Sequence, residues 1–400
     1  MAIWLTHLIG ISIIGSLYHV LTNSIKGFGY LDLYGLVWGL LLIGAPWIGP
    51  PFVPALSTQI LYYLTWLLFL LPSFWVFRQP ILNNSMVCHP VRRVKYILWF
   101  MVSMSMLANG WMLLRISSEL DLLRFGWFAL RFQGQRLQAG QSNVFYQLFA
   151  RNFLLYLPMA FWLFMRKAIR REALLIICFI ALLTASLSLT RAPILLWSLT
   201  ILTSLSIFKG LSRRRVRQLA LFLFSPVLLV TLSFNYTPAA FWQVTKVYLW
   251  GGAKVYESLL DQNYPGYRLY DSPYYSLDFL NYTAQKTGLI QSYPSLVRDY
   301  APGPVTTNVY TYLDAFTLDF GVAGALFAAL TLGWLAAVLH RRAFQYQAIP
   351  TVCYYAFVNY AIAMSFMNHE LIRINAFLLA IELWLIHHLL KPERAWLSQS

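Results

Sequence analysis

The sequence predicts an all-α polytopic membrane protein. Of its 400 residues, 59% are hydrophobic and 11% are charged, where a soluble chain of this length carries about 25% charged residues. The mean hydropathy is +0.59. Apolar runs of bilayer-spanning length, about 20 residues each, recur along the chain. A soluble alternative would have to bury several such helices completely, against the transfer preferences of their residues.

About 11 spans are expected. The run 2–21 has no basic leader and no small-residue cleavage site, so it reads as a retained span rather than a signal peptide. Runs 32–49 and 57–77 follow, and then a basic loop with Arg78, Arg92, Arg93 and Lys95. Span 96–114 leads into a polar stretch, and 144–165 returns to a loop with Arg166, Lys167, Arg170 and Arg171. Spans 173–190 and 192–208 almost touch. The next loop holds Lys209, Arg213, Arg214, Arg215 and Arg217, ahead of 219–234. After a long polar segment come 311–339, the pair Arg341 and Arg342, then 349–367 and 375–390. The basic short loops alternate correctly with one another. By the positive-inside rule they are cytoplasmic, with the C-terminus inside and the N-terminus outside.

The same pattern explains the net charge of +16 and removes nucleic acid as the expected partner. Cys88, Cys178 and Cys353 fall in a cytoplasmic loop and two spans, so no disulfide framework is expected, and no metal-type spacing is present. The chain reads as a single membrane domain over 1–400 with two distinctive outer segments. In 115–143, Leu122, Leu123, Trp127 and Leu130 share a helix face suited to the membrane surface. The segment 235–310, between spans eight and nine, is dense in Tyr, Pro, Asp and Asn, and too aromatic for disorder. It reads as a folded lid.

Nine arginines break the orientation rule: Arg115, Arg124, Arg131, Arg136, Arg151, Arg191, Arg268, Arg298 and Arg373. Arginine keeps its charge when partly dehydrated and offers a planar fork of donors, which suits diphosphate at a membrane surface. Arg191 sits in SLTRAPILLW, where the turn leaves little room to reach water. Its plain alternatives are snorkelling or pairing with an acid. Asp314 and Asp319 stand at the mouth of span 311–339. The helix dipole alone accounts for Asp314. Asp319 asks for an arginine partner or a chemical role. Tyr310 and Asp314 share a face, and Gly321 and Gly324 are expected to permit close helix approach. In NHELIR, His369 and Arg373 are four apart and Glu370 is three from Arg373. A histidine there suits proton abstraction near neutral pH, although an interfacial histidine is commonly just solvated.

Three features together resemble the Wzy-type O-antigen and oligosaccharide repeat-unit polymerases, which are related to O-antigen ligases. TTNVYTYLDAFTLDFGVAGA resembles that family's late segment, and SLTRAPILLW its small-residue–Arg step, with Ala192 where Gly is commoner. The plan of a large late outer loop and a smaller Arg-bearing one also fits.

The resemblance implies a GT-C-like, metal-independent inverting glycosyltransferase of the bacterial inner membrane. It would need no cofactor and would act on the periplasmic side. The growing glycan would pass from undecaprenyl diphosphate to a new lipid-linked repeat unit, with membrane lipids and a chain-length regulator protein as further partners. Arg191, Arg151, Arg136, Arg131, Arg298 and Arg373 would bind diphosphate. Asn308, Tyr310, Tyr312 and Glu370 would meet sugar. His369, Asp314 and Asp319, in that order, are the candidate bases. A ligase that transfers glycan to lipid A core, and a flippase or transporter of lipid-linked or anionic sugars, are the alternatives.

Overall fold

The computed structural model describes residues 2–25, 27–48, 53–79, 89–119, 146–187, 191–212, 214–216, 218–220, 223, 238–261, 275–291, 311–365, 370–372 and 374–390. The regular structure among these residues is helical, with no strand among them. In chain order the α-helices are α1 (Ala2–Ser24), α2 (Tyr30–Ile48), α3 (Leu56–Arg78), α4 (Val91–Glu119), α5 (Leu157–Met165), α6 (Arg171–Leu187), α7 (Arg191–Phe208), α8 (Pro238–Leu260), α9 (Asp278–Lys286), α10 (Leu313–Tyr346), α11 (Ile349–Met364) and α12 (Ile374–Leu389).

Among the described residues, four helical stretches are long and apolar enough to cross a membrane: Leu56–Arg78, Val91–Leu114, Leu148–Met165 and Leu313–Tyr346. Shorter apolar helices cover Leu8–Asn23, Tyr30–Gly44, Ala192–Phe208, Ile349–Met364 and Ala376–Leu389. The chain is therefore an α-helical membrane protein. The expected span 219–234 lies almost wholly outside the described residues.

The chain divides into two compact units. Unit 1 comprises Met1–Pro80, Asn235–Arg341 and Ala361–Phe377, and unit 2 comprises Ile81–Phe234, Arg342–Tyr360 and Leu378–Ser400. Within unit 1, α1, α2 and α3 pack together and α8 lies on α2. Gly333 of α10 sits directly against the backbone of Phe69 in α3. Within unit 2, α5 packs on α4, α6 and α7. Asn109 of α4 donates to Thr184 Oγ1 of α6 at 2.7 Å, and Asn359 of α11 to Thr203 Oγ1 of α7 at 3.0 Å. Such side-chain bonds tie helices whose apolar faces are otherwise non-directional.

Two expected spans differ from a simple helix. The run 144–165 enters as a π-turn, Gln147–Arg151, and a 3-10 turn, Asn152–Tyr156, before α5. Helix α10 is broken at Gly321, whose φ of 64° and ψ of −162° are non-helical. Only glycine occupies that region readily. Gly321 is therefore a break point and not the site of close helix approach expected for it. Gly324 does sit in tight packing, but against its own chain. An added Cβ would collide with the Phe316 carbonyl and lie 2.6 Å from Phe320 Cβ. The close approach between separate helices occurs further along, at Gly333.

Candidate functional site

Unit 1 gathers a nest of aromatic and hydroxyl groups around the start of α10. Tyr34 stacks on Phe69 with ring centroids 3.6 Å apart, and Trp38 lies edge-on to Tyr312. Tyr62 meets both Trp38 and Tyr256. The polar tips of these side chains find partners, as buried Tyr and Trp require. The Tyr34 and Tyr312 hydroxyls are 3.2 Å apart, Trp38 Nε1 donates to Ser365 Oγ at 3.0 Å, and the Tyr256 and Thr317 hydroxyls are 2.7 Å apart. Burial pushes the Tyr256 phenol well above its usual range, so it stays a neutral hydroxyl at physiological pH.

Asp314 lies in the first turn of α10 and is fully buried in this nest. Its Oδ1 accepts the Thr311 hydroxyl at 2.5 Å. Tyr62 and Tyr256 are its electrostatic neighbours. Tyr312 is held by its own backbone N–H, which donates to the Ser365 carbonyl at 2.8 Å. The residue just ahead of α10 and the residue just past the end of α11 are thereby fixed to each other within unit 1.

Asp319 is used differently. Its Oδ1 accepts the Tyr275 N–H at 2.8 Å, and its Oδ2 accepts the Ser276 N–H at 2.6 Å and the Ser276 hydroxyl at 2.5 Å. Among the described residues its partners are two backbone N–H groups and one hydroxyl, whereas an arginine is one of the two uses expected for it. A carboxylate is a strong acceptor of N–H groups, and here it organises the turn that opens α9. The other end of that attachment is aromatic: Phe279 of α9 stacks on Phe377 of α12 with centroids 5.0 Å apart.

The segment expected to form a lid also carries α8, which is firmly anchored. Trp250 Nε1 donates to the Leu41 carbonyl at 3.1 Å, and the Tyr62 hydroxyl donates to the Ala253 carbonyl at 3.3 Å. Glu257 pairs with Lys254 at 2.6 Å and its other oxygen accepts the Ala55 N–H at 2.6 Å, just ahead of α3. Sequence reading missed Trp250, Tyr256 and Glu257. The spacing Ala253, Tyr256, Glu257 on one helix face is the signal that was there to be read.

No family model, curated protein or solved structure matches this chain. The candidate site therefore stands on its residues alone.

The remaining expected site residues divide by place. Tyr312, Asp314, Asp319 and Glu370 belong to unit 1 and are described. Glu370 is buried in the short turn Glu370–Ile372. Arg151 and Arg191 belong to unit 2. Arg151 closes the π-turn, half-exposed, and Arg191 is the first residue of α7, its side chain outside the description. Arg131, Arg136, Arg298, Asn308, Tyr310, His369 and Arg373 lie outside the described residues, as does most of the expected interfacial segment 115–143.

Proposed function

We propose that this protein polymerises lipid-linked oligosaccharide repeat units. The growing glycan is transferred from undecaprenyl diphosphate to a new lipid-linked unit at the periplasmic face of a bacterial inner membrane. The observation that carries this reading is the fold of the segment bearing the resemblance. TTNVYTYLDAFTLDFGVAGA ends in a broken helix that seals Asp314 among tyrosines and uses Asp319 to hold the outer segment at Ser276. An acid-rich half-helix of this kind is irregular backbone of the sort that membrane proteins keep where a polar cavity is lined. About 11 spans in a GT-C-like arrangement belong to the same reading.

The roles in this proposal are as follows. A general base has to reach the acceptor hydroxyl. Asp314 is sealed from solvent and Asp319 is committed to three donors. His369 is therefore the base in this proposal, and the two acids position the mouth. Tyr312, Asn308, Tyr310 and Glu370 meet sugar. Arg191 and Arg151, with Arg131, Arg136, Arg298 and Arg373, offset the charge that develops on the departing lipid diphosphate.

The test uses purified protein in lipid nanodiscs given two lipid-linked repeat units. Longer lipid-linked products without nucleotide or ATP support polymerisation. Transfer only to an added lipid A core acceptor identifies a ligase, and relocation without chain growth identifies a carrier. Arg191→Ala should insert normally and lose about 10²–10³ in rate, the scale of losing one electrostatic stabiliser in a dehydrated site. Normal chain growth by that variant overturns the diphosphate role.

A further inference from the structure

Glu382 lies in the middle of α12, on the part of that helix belonging to unit 2, and no role assigned above involves it. It sits half-buried at the margin of two stripes. Leu379, Leu383 and Ile386 are buried, whereas Ile381, Trp384 and Leu385 are exposed apolar residues that face lipid in a membrane. Its carboxylate has two neutral partners. Asn152 Nδ2 donates to Oε1 at 3.2 Å and to Oε2 at 3.1 Å, and the Tyr156 hydroxyl donates to Oε2. Among the described residues no cation is paired with it. Asn152 and Tyr156 are the first and last residues of the 3-10 turn, so Glu382 staples both ends of the irregular entry to α5. Non-α turns inside apolar helices are frequent at functional sites.

A carboxylate among apolar side chains requires a cation or a proton. Metal cations of the alkali and alkaline-earth type need oxygen acceptors around them. Asn152 and Tyr156 instead meet Glu382 as donors, so the contacts made here offer such an ion no further oxygen acceptor. We propose that Glu382 is a proton-binding site in the apolar part of unit 2, ligated by Asn152 and Tyr156. Protonation adds one hydrogen from bulk water to Oε1, and no bond between heavy atoms changes. The bonds from Asn152 and Tyr156 lose their charge assistance, and the Asn152–Tyr156 turn loosens. The titratable groups to consider are Tyr156 itself, Cys353 of α11, which interacts with the Tyr156 hydroxyl, Arg151, next to Asn152 in the chain, and His387, five residues beyond Glu382 on α12.

A lipophilic carbodiimide tests this in the full-length protein in nanodiscs. The acid O–H adds across one C=N bond, its proton going to nitrogen, and the acyl group then shifts to give a stable N-acylurea. Peptide mass spectrometry reads the modified residue from pH 5.5 to 8.5. Exposed Glu172, in the first turn of α6, is the internal control. Labelling of Glu382 is expected to persist to higher pH than that of Glu172, and to vanish in Glu382→Gln. Amide exchange across residues 150–157 should rise in Glu382→Gln. Tyr156→Phe, which removes one donor, should shift the labelling profile to higher pH. Labelling of Glu382 that falls in step with Glu172, or an unmodified Glu382 at every pH, overturns the proposal.

Discussion

The Asp319 carboxylate accepts the backbone N–H of Ser276 at 2.6 Å across 43 residues of chain. With the Tyr275 N–H and the Ser276 hydroxyl it gathers three donors on one acid. Hydrogen bonds to a charged group contribute about 1.5–3 kcal/mol each in favourable cases. Asp319→Ala should therefore release the turn before α9, raising amide exchange across 275–291 by at least ten-fold while α3 stays protected. Asp319→Asn keeps one acceptor and should fall between. Unchanged exchange in the alanine variant would show that Phe279 stacked on Phe377 holds the segment unaided.

Asp314 makes a local contribution of another kind. Its Oδ1 holds the Thr311 hydroxyl in a pocket sealed from solvent. Asp314→Ala strands that hydroxyl, at a cost of about 1–3 kcal/mol. Asp314→Asn leaves an oxygen in place and should cost less. Thermal unfolding midpoints in detergent compare the two, and equal losses would mean that the charge, not the acceptor oxygen, matters.

Glycines on helices give a clean contrast. An added Cβ at Gly333 would collide with the Phe69 carbonyl and lie 2.9 Å from its Cα, whereas at Gly110 nothing lies within 4 Å. Gly110→Ala should be neutral or stabilising by about 0.5–1 kcal/mol, through helix propensity alone. Gly333→Ala must push α10 from α3, and should lose several degrees of thermal midpoint. Gly321→Ala should cost about 1–3 kcal/mol through its backbone conformation alone, since open space surrounds that position.

His89 supplies a pH dependence in unit 2. Its Nε2 accepts the Ile349 N–H at 3.2 Å, and its Nδ1 lies 3.3 Å from the Leu390 carbonyl. That pair of contacts fixes the neutral ring with its hydrogen on Nδ1. Burial, aided by nearby His387, lowers its pKa from the ordinary 6.5, with the Leu390 bond opposing. Above pH 6.5 both folded and unfolded chains hold it neutral and its contribution to stability is complete. As pH falls below that value the unfolded chain takes the proton first, so stability is lost down through the folded pKa. Unfolding midpoints should drop between pH 7 and 5 and do so less steeply in His89→Gln. Equal slopes would assign the pH dependence to other groups.

The sequence by itself determined that this is a helical membrane protein, because apolar content and run length are local properties set by the bilayer's thickness. It also placed Asp314 in a first helical turn, where the dipole favours an acid. Nothing local in LDAFTLDFG distinguishes the sealed Asp314 from Asp319, or a break at Gly321 from a packing contact at Gly333. Those distinctions belong to tertiary structure. Asp319 meets Ser276, Trp250 meets Leu41 at 209 residues' separation, and Glu257 meets Ala55 at 202. A carboxylate, an indole N–H or a missing Cβ is satisfied by whichever backbone the packed helices bring within about 3 Å, and that choice is made only when distant segments fold together.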